Sequence, residues 1–157
     1  MSLPVAIIAI NTNVFSLLLK GIGQIGMIPQ TVAGIETDIM PVDLAAKEVL
    51  ALRSSEHAVY HIMNFTPPTL QEVLAAALGD DIVIADTETF EMRFRERLLH
   101  MDRQLAAVVF GKLHEETSGT AKAPVTSAIT EAHLAKVGFD VPVIALETVL
   151  KNFCKGE

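Results

Sequence analysis

Three kinds of apolar pattern alternate along the chain. The first is an unbroken run, Val5 to Ile10, stopped by Asn11-Thr12-Asn13. Its short length and its Ile and Val content predict a strand covered on both faces, of the kind found inside a sheet. The second pattern is alternation. Gly34 to Met40 sets Ile35 and Thr37 on one side and Glu36 and Asp38 on the other, which predicts a half-exposed strand. Ala58 to Asn64 predicts another strand, closed by Phe65-Thr66-Pro67-Pro68, and Ile82 to Ala85 a short third one. The third pattern has helical spacing. Asn13 to Gly21 predicts a helix capped by Asn13, with Val14, Leu17 and Leu18 in register. Pro41 opens a helix carrying Ala45, Ala46, Val49, Leu50 and Leu52, with Asp43 as its expected cap. Thr69-Leu70-Gln71-Glu72 is a capping box: the threonine hydroxyl accepts from the N3 amide while the glutamate accepts from the N-cap amide.

From Thr87 onward Phe90, Phe94, Leu98, Met101, Leu105, Val108 and Leu113 form one broad helical stripe, with Gly111 a break point and Gly119 an end. Thr126 to Val137 and Ala145 to Phe153 predict the last two helices. The total is roughly six helices with three or four short strands. A single α/β domain over residues 1–157 with a small mixed sheet is the expected class.

Mean hydropathy is +0.41 and half the residues are apolar, yet the longest apolar run falls far short of the ~20 residues of a membrane span. Twelve basic against nineteen acidic residues give a net charge of −7, the wrong sign for a surface that tracks phosphates. The only cysteine, Cys154, excludes an internal disulfide or an all-cysteine metal site. The first basic side chain is Lys20, so no secretory leader is predicted and a cytoplasmic location is expected. A fully apolar strand that begins at residue 4 predicts an excised piece of a longer protein, with Met1-Ser2-Leu3 an addition in front of it.

Gly21-Ile22-Gly23-Gln24-Ile25-Gly26 matches the G-x-G-x-x-G spelling of a dinucleotide loop. That loop requires a strand before it and a helix opening within it. Here helical spacing precedes the motif and Pro29 follows, so the glycines are expected to form a loose helix end and not a phosphate cradle. His57 and His61 are four apart, but on a strand that spacing is roughly 13 Å, too far for one metal ion. His100, His114 and His133 lack partners at ligand spacing. Arg93, Arg95, Arg97 and Arg103 have Glu88, Glu91 and Glu96 as helical neighbours, which predicts a solvated charged face. Tyr60 is the only tyrosine and Asn64 stands four residues on. The Tyr-x-x-x-Lys pair, in which a lysine lowers the phenol pKa for proton transfer, is therefore missing.

Asp38-Ile39-Met40-Pro41-Val42-Asp43-Leu44-Ala45-Ala46-Lys47, followed by Val59-Tyr60-His61-Ile62-Met63-Asn64, resembles one particular family. The stretch is similar to the C-terminal part of thioester reductase domains, extended short-chain dehydrogenase relatives that end nonribosomal peptide synthetases and carboxylic acid reductases. Phe15 to Lys20, Gly26 to Pro29, Thr130, Leu134, Gly138-Phe139 and Pro142 follow the family's order. The resemblance implies a helix-rich substrate lobe with the Rossmann half absent. In the parent enzyme NADPH reduces an acyl or peptidyl thioester carried on the phosphopantetheine arm of a carrier protein. The cofactor loop and the Tyr/Lys pair then belong to the missing N-terminal half, so no catalytic, cofactor or metal residue is carried over and the piece alone is expected to be inactive. Its expected partners are that Rossmann half and the carrier protein, and the apolar surface left by the missing half implies self-association. The substrate-lining residues implied are Asn13, Phe15, Met40, Pro41, Phe90 and Phe94. The competing expectation is a free-standing, non-catalytic module that binds an acyl group or another protein.

Overall fold

The computed structural model describes residues 14–54, 59–117 and 127–154. These contain α1 (Val14–Ile25), β1 (Met27–Pro29), α2 (Gln30–Ala33), α3 (Val42–Leu52), α4 (Leu70–Leu78), β2 (Val83–Ala85), α5 (Thr87–Leu98), α6 (Arg103–Thr117), α7 (Ala128–Lys136) and α8 (Leu146–Cys154). The class is α/β and strongly helical, as the periodicities indicate.

The core forms around α1. Leu17, Leu19, Ile22 and Ile25 are buried with Ile28, Leu74, Phe90, Leu105 and Val109 in one cluster. The main partner of α1 is α6. Gly21 is what lets the two helices meet: a Cβ added there would overlap the Val109 γ-methyl. The helix ends at Gly26, whose amide donates to the Ile22 carbonyl at 2.8 Å. Its φ of +77° turns the chain into β1, a conformation that a side chain would strain.

β1 pairs in parallel with β2, in the register Met27↔Val83, Ile28↔Ile84 and Pro29↔Ala85. Pro29, which has no amide proton to give, ends its strand. Asp86 follows β2 and caps α5, its Oδ1 accepting from the Thr89 amide at 2.8 Å.

Several expectations change in the structure. Among the described residues the sheet has two strands, which run parallel. The predicted strand over 34–40 is reduced to an antiparallel bridge between Glu36 and Thr69, and 59–64 joins no ladder. A strand is defined by its neighbour, and among the described residues these segments find none of any length. The stripe beginning at Phe90 belongs to two helices. The chain breaks at 99–102, and Asp102 restarts it by accepting from the Gln104 amide at 2.8 Å. Gly111 lies inside α6 without interrupting it, and Gly119 lies outside the described residues. Asp43 does not cap α3. The cap position is Pro41, and Asp43 sits in the first turn, exposed, with Lys47 at 3.8 Å. Of the apolar positions expected to be carried by α3, only Leu52 is buried. Leu44, Glu48 and Leu52 are buried, whereas Ala46, Val49 and Leu50 are exposed.

α7, whose Thr130 and Leu134 are buried, packs on α3, and α8 packs on α4. Thr69 caps α4 in a complete box, its hydroxyl accepting from the Glu72 amide and its own amide donating to the Glu72 carboxylate. The backbone and hydroxyl of Thr69 hold the Glu72 carboxyl below its ordinary pKa.

Gly21→Ala should destabilise the fold by about 1–3 kcal/mol through overpacking. Adding Val109→Ala should restore part of the loss, read as non-additivity in urea unfolding. Thr69→Ala should cost about 1 kcal/mol as the loss of a cap, while Asp43→Ala should stay within about 0.5 kcal/mol. Paired melting curves of the two variants check this contrast.

Candidate functional site

The polar centre of the molecule is Asn64, at 5% exposure. Its amide donates to Asp38 Oδ1 at 2.9 Å, and its Nδ2 donates to the Ile39 carbonyl at 3.3 Å. Its Oδ1 accepts from the Thr66 amide at 3.0 Å, closing an Asx turn. Alongside, the Thr37 amide donates to the Pro68 carbonyl at 2.7 Å and the Leu70 amide to the Ile35 carbonyl at 2.8 Å. The segments 35–39 and 64–70 are thereby laced together, and both the start of α3 and the cap of α4 are fixed from one knot.

On one flank of this knot lies an open cleft of about 1030 Å³, bounded by the 64–68 turn, α4 and residues 143–148. Phe65, Pro67 and Ile144 give it apolar walls, and Glu36, Glu72, Asp80 and Glu147 border it. No basic side chain is among the described residues that line it. Four carboxylates repel a phosphate, whereas an uncharged amide or acyl chain meets no such opposition.

The residues expected to line a substrate site fall in two places. Phe15 and Phe94 pack on the core cluster and Phe90 is buried in it. Phe90 stacks on Phe94 at 6.0 Å, and Phe94 on the more exposed Phe110 at 6.3 Å. Met40 and Pro41 stand elsewhere, half-buried between Ile39 and the start of α3. Asn13 lies outside the described residues. None of the five described ones borders the acidic cleft.

The other sequence candidates resolve in structural terms. Gly21 and Gly23 are interior residues of α1, Gly21 against Val109 and Gly23 facing Leu78. Their amides belong to a helix, so the G-x-G-x-x-G stretch does not fit a dinucleotide phosphate. Arg93 pairs with Glu96 at 3.3 Å and Arg95 with Glu91 at 3.5 Å, the solvated face that the spacing predicts. Tyr60 lies in no helix and meets the His133 ring edge-on at 5.5 Å. The His61 amide donates to Thr130 Oγ1 at 3.1 Å. His57 lies outside the described residues, as do the His114 and Cys154 side chains. Among the described residues no three His, Cys, Asp or Glu side chains gather as metal ligands, and no helix is long and apolar enough to cross a membrane.

No family model matches the chain, and no curated protein matches its sequence. A solved structure does match its fold: a thiolation-reductase di-domain from an archaeal non-ribosomal peptide synthetase, with a TM-score of 0.75 and 21% identity. The match covers 93% of this chain and 31% of that one. The chain therefore shares its fold with part of that di-domain. This chain spans about a third of the di-domain's length, and the segments 38–47 and 59–64 lie on the two sides of the Asn64 knot.

One group was invisible to pattern reading. Glu48 is fully buried, and neither of its carboxylate oxygens has a hydrogen-bond partner. Burial raises its pKa above the ordinary carboxylate range. The unfolded chain releases this proton at lower pH than the folded chain, so between the two pKa values the native state holds more protons and stability falls as pH rises. Glu48→Leu should therefore gain about 1–3 kcal/mol at neutral pH, the typical cost of an unsatisfied buried polar group. The gain should shrink as pH drops into the ordinary carboxylate range. Urea unfolding of both proteins across that span checks the sign.

Proposed function

We propose that the chain is the substrate-side lobe of a thioester reductase that releases acyl or peptidyl chains from a carrier protein. The observation that carries this reading is the Asn64–Asp38 knot, which joins the two motif-bearing segments within a fold matched over 93% of the chain. Among the described residues neither a phosphate cradle nor a Tyr/Lys proton-transfer pair is built. The reading therefore assigns NADPH and the proton donor to polypeptide outside the chain, and leaves the lobe to hold the acyl or peptidyl part of the thioester.

Met40 and Pro41 are the residues best placed to meet that group, because the knot fixes the backbone beside them without consuming their side chains. The Phe90–Phe94–Phe110 stack supports the lobe from its core and reaches the surface only at Phe110. The carboxylate-bordered cleft is unsuited to the phosphate end of a phosphopantetheine arm, so that end must approach from another side.

The test is binding without turnover. Octanoyl-pantetheine should shift the Met40 and Val42 amide signals in a nuclear magnetic resonance titration, and Met40→Trp should weaken that binding about tenfold, or 1.4 kcal/mol. NADPH absorbance should stay constant when both are mixed with the chain. Consumption of NADPH, or shifts indifferent to Met40→Trp, would overturn the assignment.

A further inference from the structure

The cleft beside the Asn64 knot takes no part in the reductase reading, since neither Met40 nor Pro41 borders it. Its walls are mostly apolar. Phe65 and Pro67 come from the turn, Ala75 and Ala76 from α4, and Val143 and Ile144 from the chain that enters α8. Val143 is 88% exposed, more than any other large apolar side chain among the described residues. The volume of about 1030 Å³ is at the top of the range of small-molecule sites. The space is an open groove, however, a shape for a length of chain laid across the surface and not for an enclosed compact ligand.

The charge along this apolar groove has one sign. Glu36 reaches it from the segment before α3, Glu72 and Asp80 from α4 and the turn after it, and Glu147 from the first turn of α8. Elsewhere the carboxylates are matched: Asp43 with Lys47, Glu91 with Arg95 and Glu96 with Arg93. The side chains of Glu36 and Asp80 have no hydrogen-bond or ion-pair partner among the described residues. Like charges along a concave apolar wall, with no cation among them, focus a negative potential into the groove.

Apolar walls and an acidic border together select the occupant. Lysine and arginine lay their aliphatic stems along apolar surface while the charged heads stay at its edge. An acidic peptide or a nucleic acid would bring its charges against the carboxylates. A wholly apolar segment would cover the walls but leave the border without its complement, and complementarity of charge is what distinguishes a right partner from a wrong one.

We propose that this groove receives an extended basic segment of a partner protein. Its apolar side chains rest on Phe65, Pro67 and Ile144, and its lysine or arginine heads lie toward Glu36 and Asp80. The inference stands apart from the reductase reading. It uses none of the residues assigned there to the acyl or peptidyl group, and either assignment can fail without the other.

The probe is a fluorescein-labelled Lys-Leu-Lys-Leu-Lys-Leu peptide, titrated with the full chain and followed by anisotropy. Binding should saturate, and in a nuclear magnetic resonance titration the amide shifts should cluster at Phe65, Ala75, Ala76 and Ile144. Glu36→Gln combined with Asp80→Asn should weaken binding about tenfold or more. Glu88→Gln combined with Glu91→Gln removes the same charge from α5 and should change it less than about twofold, because that charge lies outside the groove. Two further peptides test the unmodified chain, whatever the variants do to folding. Lys-Ser-Lys-Ser-Lys-Ser should bind about tenfold more weakly or worse, having no apolar side chains for the walls, and Glu-Leu-Glu-Leu-Glu-Leu should not bind. Absence of saturable binding, equal weakening by the two double variants, equal affinity for the serine peptide, binding of the glutamate peptide, or shifts away from the cleft would each overturn the proposal.

Discussion

α1 lies close against α6 at Gly21, and the other layers take their positions from that contact. The absence of a side chain at residue 21 brings Val109 against the α1 backbone. Ile22 and Ile25 are thereby fully buried. Because α1 runs straight through Gly26 into β1, fixing the helix also fixes the strand. Because β2 runs through Asp86 into α5, the parallel pair then sets α5 and its phenylalanine stack. A residue larger than glycine would force α1 and α6 apart and disturb the sheet and α5 together.

The second organising device is polar and local. Asn64 spends its amide, its Nδ2 and its Oδ1 on three partners, so it behaves as a rivet between 35–39 and 64–70. It serves the start of α3, the turn before α4 and one margin of the acidic cleft at once. A buried side-chain amide with its capacity used in this way specifies one arrangement, since any shift of either segment leaves polar atoms without partners in a dry site. Glu48 is the counterexample: buried like Asn64, but with no hydrogen bond to offset the loss of water. One site fixes geometry and the other costs stability.

Much of this could be read from the residues. The capping box at Thr69 and Glu72, the charged pairs along α5 and the helices at both ends of the chain follow from local spacing, and local rules sufficed because their partners are three or four residues away. The G-x-G-x-x-G stretch was expected to be a loose helix end, whereas α1 continues through Gly21 and Gly23 to Ile25, because the role of Gly21 as a contact for α6 depends on a residue far along the chain. The strands were the weak point. Residues 34–40 and 59–64 have strand composition, but composition cannot supply the neighbour that turns an extended segment into a ladder. The orientation of α3 was missed for a related reason. Of its apolar positions 45, 46, 49, 50 and 52 only Leu52 faces inward, together with Leu44 and Glu48, while Ala46, Val49 and Leu50 face outward. The two family-like segments were visible as words; that one asparagine ties them together was not.

The meeting of Gly21 with Val109 also has a temporal side. The two positions are 109 − 21 = 88 residues apart. At a ribosomal rate of ~5–20 residues per second, the partner surface for α1 emerges roughly 4–18 s after Gly21 has been made. Throughout that interval the face of α1 that meets α6 lacks its main partner. An apolar helix face waiting that long is a ready client for a chaperone, and yield during synthesis is where its burden falls.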